Sequence, residues 1–139
     1  MAGDRVITAM TVLCEADSES DVCKAWIVWT IYNRVKSGRW EKTMAGVCLQ
    51  RMQYSEWNAD RGDNANLERV ANLSENDPNW HGALALVDAV MEDIASGVPD
   101  PTNGATHFFA NTISPPAWAA APATLTGQQG KVLFYSNVP

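Results

Sequence analysis

DPTNGATHFF, residues 100–109, is where helical periodicity stops and another kind of chain begins. Asp100-Pro101 breaks a helical pattern, because proline has no N–H to donate and pushes the residue before it out of the helical region. Asn103-Gly104 supplies a tight turn, since both residue types tolerate positive φ. Thr106, His107, Phe108 and Phe109 then set a hydroxyl, an imidazole and two rings side by side. On a strand, alternation aims Thr106 and Phe108 at one face and His107 and Phe109 at the other. Polar tips beside flat rings suit a sugar-binding groove, and the same residues equally suit a plain β-hairpin.

Upstream of this stretch the pattern is helical. Asp4 is placed to cap a first helix over residues 4–15, with Val6, Ile7, Met10 and Leu13 near helical spacing. Residues 17–21 form an acidic, polar turn that also caps the next helix. This second helix is predicted over residues 21–37, with Val22, Ala25, Trp26, Val28, Trp29, Tyr32 and Val35 as its stripe. Ile27 and Ile31 fall off that stripe, so most of the circumference is apolar and the helix is central and buried. Gly38 ends it, and Arg34 and Lys36 complement the negative end of its dipole.

Thr43 caps a short helix reaching residue 49. Residues 50–66 read as irregular and residues 67–73 as another short helix. Asp77-Pro78 opens a further helix, with Asp at the cap and Pro at the first helical position. Trp80, Ala83, Leu84, Val87, Val90, Met91 and Ile94 form its stripe until Gly97 and Pro99 stop it. Past Val98 the prolines at 115, 116 and 122 exclude a long helix, and Val132, Leu133, Phe134 and Tyr135 form a short terminal strand. The expected fold class is α+β, mostly α. A helical body carries a small β/loop lobe from the C-terminal third, with a ligand cleft between them.

The chain has 139 residues, which fits a single domain spanning 1–139, and it is 46% hydrophobic with six tryptophans. Its net charge of −6 and lack of a basic stripe argue against nucleic-acid binding. Three irregularly spaced cysteines, Cys14, Cys23 and Cys48, are no disulfide framework, and without a C-x-x-C pair no structural zinc is expected. That usage fits a reducing compartment. The apolar run from Val6 to Cys14 is too short to span a bilayer, and no signal peptide is read ahead of it. No P-loop or dinucleotide fingerprint occurs.

Glu15 falls at the end of the first predicted helix. A carboxylic acid half-buried there feels desolvation and the negative end of the helix dipole, and both keep it protonated near neutral pH. That is the property of a general acid for glycosidic cleavage. A solvated glutamate at a frayed helix end has the same local sequence. The segment Gln53-Tyr54-Ser55-Glu56-Trp57-Asn58 combines amides, a hydroxyl and rings, as a sugar site needs, and reads equally as a polar loop anchored by Trp57.

Four segments, in order, resemble the SleB-type cell-wall hydrolases, the family of spore-cortex-lytic enzymes and related bacterial and phage proteins. The first is Leu13-Cys14-Glu15-Ala16, similar to the family's G-E-A-R, with Cys14 for the glycine and Asp17 for the arginine. The second is Tyr32-Asn33-Arg34-Val35, similar to L-N-R-V, followed by Ser37-Gly38-Arg39-Trp40 and Ala45-Gly46-Val47. The third is Gln53-Tyr54-Ser55, like Q-F-[ST]. The fourth is Asp100 to Phe109, like D-P-T-G-G-A followed by aromatics, with Pro115-Pro116-Ala117-Trp118 beyond. Gly130-Lys131-Val132-Leu133-Phe134 departs from the family's G-x-H-x-F, with Val132 where histidine is usual.

The resemblance implies a lysozyme-like fold, cleavage of peptidoglycan between N-acetylmuramic acid and N-acetylglucosamine, and a catalytic glutamate at Glu15. The expected reaction is lytic transglycosylation, in which Glu15 protonates the bridging oxygen and then accepts the C6 hydroxyl proton as a 1,6-anhydro ring closes. A hydrolytic muramidase needs a second carboxylate at a defined separation, and none stands out; it is the first alternative. A non-catalytic glycan-binding or virion structural module is the alternative of another class.

Gln53, Ser55, Thr102, Thr106 and His107 are the expected contacts for sugar hydroxyls and N-acetyl groups. Tyr54, Trp57, Phe108 and Trp118 are the expected stacking rings. No cofactor and no metal are expected. The expected partner is the peptidoglycan glycan strand, without nucleic acid or membrane insertion. The expected setting is a monomeric phage or prophage endolysin, made in the host cytoplasm, released through a holin and acting at the cell wall.

Overall fold

The computed structural model describes residues 2–16, 18–50 and 77–139. Gln53, Tyr54, Ser55 and Trp57, the irregular segment and the short helix expected over 67–73 lie outside the described residues. The elements are α1 (Ala2–Ala16), α2 (Asp21–Ser37), α3 (Met44–Leu49), α4 (Pro78–Ala95), β1 (His107–Ala110), a 3-10 turn (Ala117–Ala119), β2 (Thr124–Gln129) and β3 (Val132–Ser136).

Local chemistry accounts for the helix ends. Ser20 caps α2 by accepting the Cys23 N–H at 3.2 Å, and Gly38 closes it in the left-handed region at φ 77°, which glycine enters without a Cβ penalty. Thr43 caps α3 by accepting the Gly46 N–H at 2.9 Å. Asp77 caps α4 through the Asn79 N–H at 2.9 Å, with Pro78 in the first turn. Asp4 behaves differently from expectation. It sits inside the first turn of α1, and its carboxylate accepts the backbone N–H of Ala45 at 2.9 Å. It therefore satisfies an orphan donor of α3 and ties two helices together.

The core is shared by the four helices of the described residues and the sheet. Ala9, Val12 and Leu13 of α1, Ile27, Val28 and Ile31 of α2, Val47 of α3, Val87 of α4 and Phe134 of β3 are all essentially inaccessible to solvent. α2 is the central helix, packed on α1, α3 and α4. Ile27 and Ile31 are fully buried, as an apolar circumference requires, while Val22 of the predicted stripe is 53% exposed. With neighbours on several sides, burial follows those contacts rather than the longest run of apolar spacing.

The sheet has strand order β1-β3-β2, all antiparallel. The hairpin reading of residues 100–109 does not hold, because β1 pairs with β3, Phe108 facing Phe134 and His107 facing Tyr135. The hairpin is β2–β3, turning at Gly130-Lys131, with Gly130 at φ 57°. β2 escapes sequence reading because TLTGQQ has almost no apolar alternation. It is held by the ladder and by Gly127, where a Cβ would lie 2.7 Å from the Trp26 ring. Trp26 also meets Phe134 edge-on at 5.1 Å, which seats the sheet on α2.

Candidate active site

The Asp100 loop is built as a cage of hydrogen bonds. Asp100 Oδ1 accepts the backbone N–H and the hydroxyl of Thr102, both at 2.7 Å, and Oδ2 accepts the Gly104 N–H at 2.9 Å. Asn103 and Gly104 take positive φ, 53° and 85°, as the expected turn requires. From α2, Asn33 Nδ2 reaches into the loop and donates to Asp100 Oδ2 at 2.8 Å and to the Ala105 carbonyl at 2.9 Å, with Thr102 Oγ1 at 3.3 Å. The neighbouring Arg34 donates from Nε to the Thr106 carbonyl at 2.6 Å. The N-R-V and D-P-T-N-G-A segments, 67 residues apart at Asn33 and Asp100, are thus one structural unit. Thr102, an expected sugar contact, is fully buried with its hydroxyl committed to Asp100. It builds the loop and presents nothing to a ligand.

Beyond the loop, alternation along β1 separates His107 and Phe109 from Phe108 as predicted, but Thr106, which precedes the strand, joins His107 and not Phe108. Phe108 packs inward on Phe134, with ring centroids 5.8 Å apart. His107 and Phe109 lie on the other face with Tyr135 and Trp118, Phe109 buried beneath these rings. The Trp118 ring lies 4.9 Å from His107, 5.7 Å from Phe109 and 5.5 Å from Tyr135. Trp40, just past α2, meets the other side of His107 at 5.7 Å. The guanidinium groups of Arg34 and Arg39 lie 4.8 Å and 4.6 Å from the Trp40 ring centre. Burial, then the charges of Arg34 and Arg39, lower the His107 pKa to about 4, so the imidazole is neutral at pH 7. Its Nδ1 lies 2.9 Å from the Thr106 hydroxyl. Trp118, His107 and Thr106 therefore share one patch, while Phe108 is on the opposite face.

Glu15 is half-buried in the last turn of α1. The chain turns at once into α2: the Glu19 N–H donates to the Ala16 carbonyl at 3.0 Å, and Glu19 Oε1 accepts the Lys131 N–H at 3.3 Å. The Lys131 carbonyl in turn accepts the Asn111 N–H at 2.7 Å. The tip of the β2–β3 hairpin thus meets the α1–α2 connection at Glu19, a short way along the chain from Glu15. Thr106 and Arg34 meet at the other end of α2. Five residue steps from Thr106 along β1 to Asn111 correspond to roughly 17 Å. Glu15 and the aromatic patch therefore lie toward opposite ends of the same helix.

The grooves among the described residues include three of note. One of about 530 Å³ lies between α1 and α4, lined by Arg5, Trp80, His81 and Asp88. A second of about 520 Å³ lies between α2 and α4, and a third of about 300 Å³ lies beside Tyr32, Lys36 and Pro99. Glu15 lines none of these three. No group of three metal-ligating side chains occurs among the described residues. Burial together with the Glu19 charge pushes the Cys23 thiol up to about 11, an unreactive state at neutral pH. Sequence reasoning passed over Asn33, Arg39, Trp40 and Tyr135 as site residues. The joint presence of N-R-V and D-P-T-N-G-A was the available signal for Asn33.

Helices packed on a small antiparallel sheet make this a lysozyme-like α+β fold. It is similar to the crystal structure of the catalytic domain of the Bacillus cereus SleB protein, with a TM-score of 0.72 and 20% identity, covering 98% of this chain and 91% of that one. It is equally similar to the catalytic domain of the germination-specific lytic transglycosylase SleB from Bacillus anthracis, with a TM-score of 0.72 and 20% identity over 98% and 96% of the two chains. No curated protein sequence matches. Residues 18–135 match the cell wall hydrolase family, and the chain belongs to that family, of SleB type. The matched span begins just after Glu15.

Proposed function

We propose that this chain cleaves peptidoglycan glycan strands as a lytic transglycosylase, with Glu15 as acid and then base. The observation that carries the reading is a half-buried carboxyl at the C-terminal end of α1, directly joined to a chain that matches the cell wall hydrolase family. In the first step the Glu15 proton passes to the bridging oxygen as its bond to C1 of N-acetylmuramic acid breaks. In the second, the C6 hydroxyl oxygen bonds to C1 and its proton returns to Glu15. Water is not consumed, so no second carboxylate is required, and the enzyme ends in its starting protonation state. Thr106, His107 and Trp118 are proposed contacts for sugar units remote from the cleaved bond. Gln53, Tyr54, Ser55 and Trp57 are proposed contacts on sequence grounds.

Mass spectrometry of digested peptidoglycan tests this directly. Products should carry 1,6-anhydromuramic ends, lighter by one water than reducing ends. Reducing muramic ends would replace the reading with a muramidase. Binding to walls without any product would replace it with a glycan-binding module. Glu15→Gln should lower turnover by about 10²–10⁴-fold with an unchanged circular dichroism spectrum. The proposed setting is phage or prophage lysis. Expressed in a host cytoplasm, the protein should then clear the culture only alongside a hole-forming protein, and clearing without one overturns that setting.

A further inference from the structure

The patch at the far end of α2 has a charge character that its neutral rings alone do not suggest. The chain carries ten Lys and Arg in all, and four of them, Arg34, Lys36, Arg39 and Lys42, fall within nine residues, with Glu41 the one acid among them. In a protein of net charge −6 this is a local reversal. Two of these cations are organised around a ring. Arg34 is buried and bonded to the Thr106 carbonyl. Arg39 is exposed, and its Nη1 donates to the Val138 carbonyl at 2.8 Å, which holds the guanidinium over Trp40. Trp40, His107 and Trp118 are each half-buried and follow one another at 5.7 Å and 4.9 Å, their planes inclined by 60° and 53°. Adjoining rings, even inclined ones, present apolar surface to sugar rings, and a guanidinium pre-positioned on Trp40 presents donors to a carboxylate.

We infer that Trp40, His107 and Trp118, with Arg39, form a distal subsite for a carboxylate-bearing stretch of glycan, at the opposite end of α2 from Glu15. This rests on the proposed function for its substrate class, and it adds a preference: muramic units with free carboxylates bind there better than neutral amino sugars. Arg39 supplies the discrimination and the rings supply the common affinity.

The test uses the Glu15→Gln protein, to prevent turnover, titrated by tryptophan fluorescence with two oligosaccharides of equal length. One is a tetrasaccharide of alternating N-acetylglucosamine and N-acetylmuramic acid with free lactyl carboxylates, and the other is chitotetraose. The acidic tetrasaccharide should bind about fivefold tighter, as one exposed charge-assisted contact provides, and the margin should shrink as salt rises. Arg39→Gln should abolish the margin and leave chitotetraose binding unchanged, while Arg39→Lys, which keeps the charge without the flat fork, should keep part of it. Trp118→Leu should weaken both ligands. Equal affinities in the Glu15→Gln protein, or a margin that survives Arg39→Gln, overturns the inference. Wild-type turnover of peptidoglycan without such a margin sinks the subsite and leaves the proposed function standing; a margin without turnover does the reverse.

Discussion

Asn33 shows how one side chain joins distant parts of the chain. Its amide supplies donors to Asp100 and to the Ala105 carbonyl, both on a loop that has no other regular structure to hold it. Asn33→Ala would leave a buried carbonyl and one carboxylate oxygen without that donor, at a cost of roughly 2–4 kcal/mol, read as a lowered urea midpoint with an unchanged slope. A loss below about 0.5 kcal/mol would show that the loop is held by Asp100 alone. His107 carries a second prediction. Its folded pKa, about 4, lies below the ordinary 6.5 of the unfolded chain, so between those values the unfolded state binds more protons. Stability therefore rises with pH across that window and levels off above it. Comparing wild type with His107→Gln between pH 4 and 6.5 isolates the effect from carboxylate titration. The variant should show the shallower slope, and identical slopes would place His107 in a more solvated environment.

At the scale of the element, the capped helices were legible and the polar strand was not. α2 runs from Asp21 to Ser37 as its sequence predicts, because both ends are set locally, by the Ser20 hydroxyl and by Gly38. Asp77-Pro78 marks the start of α4 for the same kind of reason. Asp4 misled because its partner is Ala45, on another helix, and no local pattern announces a contact across 41 residues. On α2, Ile27 and Ile31 are buried as a helix apolar around most of its circumference requires, whereas Val22, read as part of the stripe, is exposed because no neighbour among the described residues covers it there. The candidate site divides likewise. Alternation separated His107 from Phe108, whereas the burial of Thr102 follows from the distant Asn33 and could not be read from the loop itself. β2 depends on tertiary context throughout, and Gly127 is its most exacting position. Gly127→Ala drives a methyl into the Trp26 ring, so the ring or the strand must shift, costing about 1–3 kcal/mol. Thermal unfolding together with the near-ultraviolet signal of the tryptophans reads both effects. An unchanged Trp26 environment would show that β2 moves freely away from α2.

The whole molecule arranges two chemistries about one helix. At the start of α2, Glu19 fastens the hairpin tip to the connection just beyond Glu15; at its end, Arg34 and Asn33 fasten the loop and the first residues of the sheet. The sheet is thus anchored to α2 at both ends, and α2 sets the spacing between acid and aromatic patch. Under the proposed function, damage at the two ends should appear in different kinetic constants. Gly130 sits at φ 57° and packs so closely on the Glu19 carboxylate that a Cβ there collides with it. Gly130→Ala therefore pushes the Glu19 carboxylate aside and removes its bond to the Lys131 N–H, which loosens the hairpin tip from the α1–α2 connection and, under the proposed function, from the neighbourhood of Glu15, an effect felt in the transition state. It should lower kcat by about tenfold, or roughly 1.4 kcal/mol, with KM little changed. Arg39→Gln, at the other end, removes binding shared by ground and transition states, so it should raise KM on peptidoglycan and spare kcat. Steady-state turnover of solubilised glycan strands by both variants decides the matter. If both lower kcat alike, the two ends act as one catalytic unit, and the division of labour along α2 is wrong.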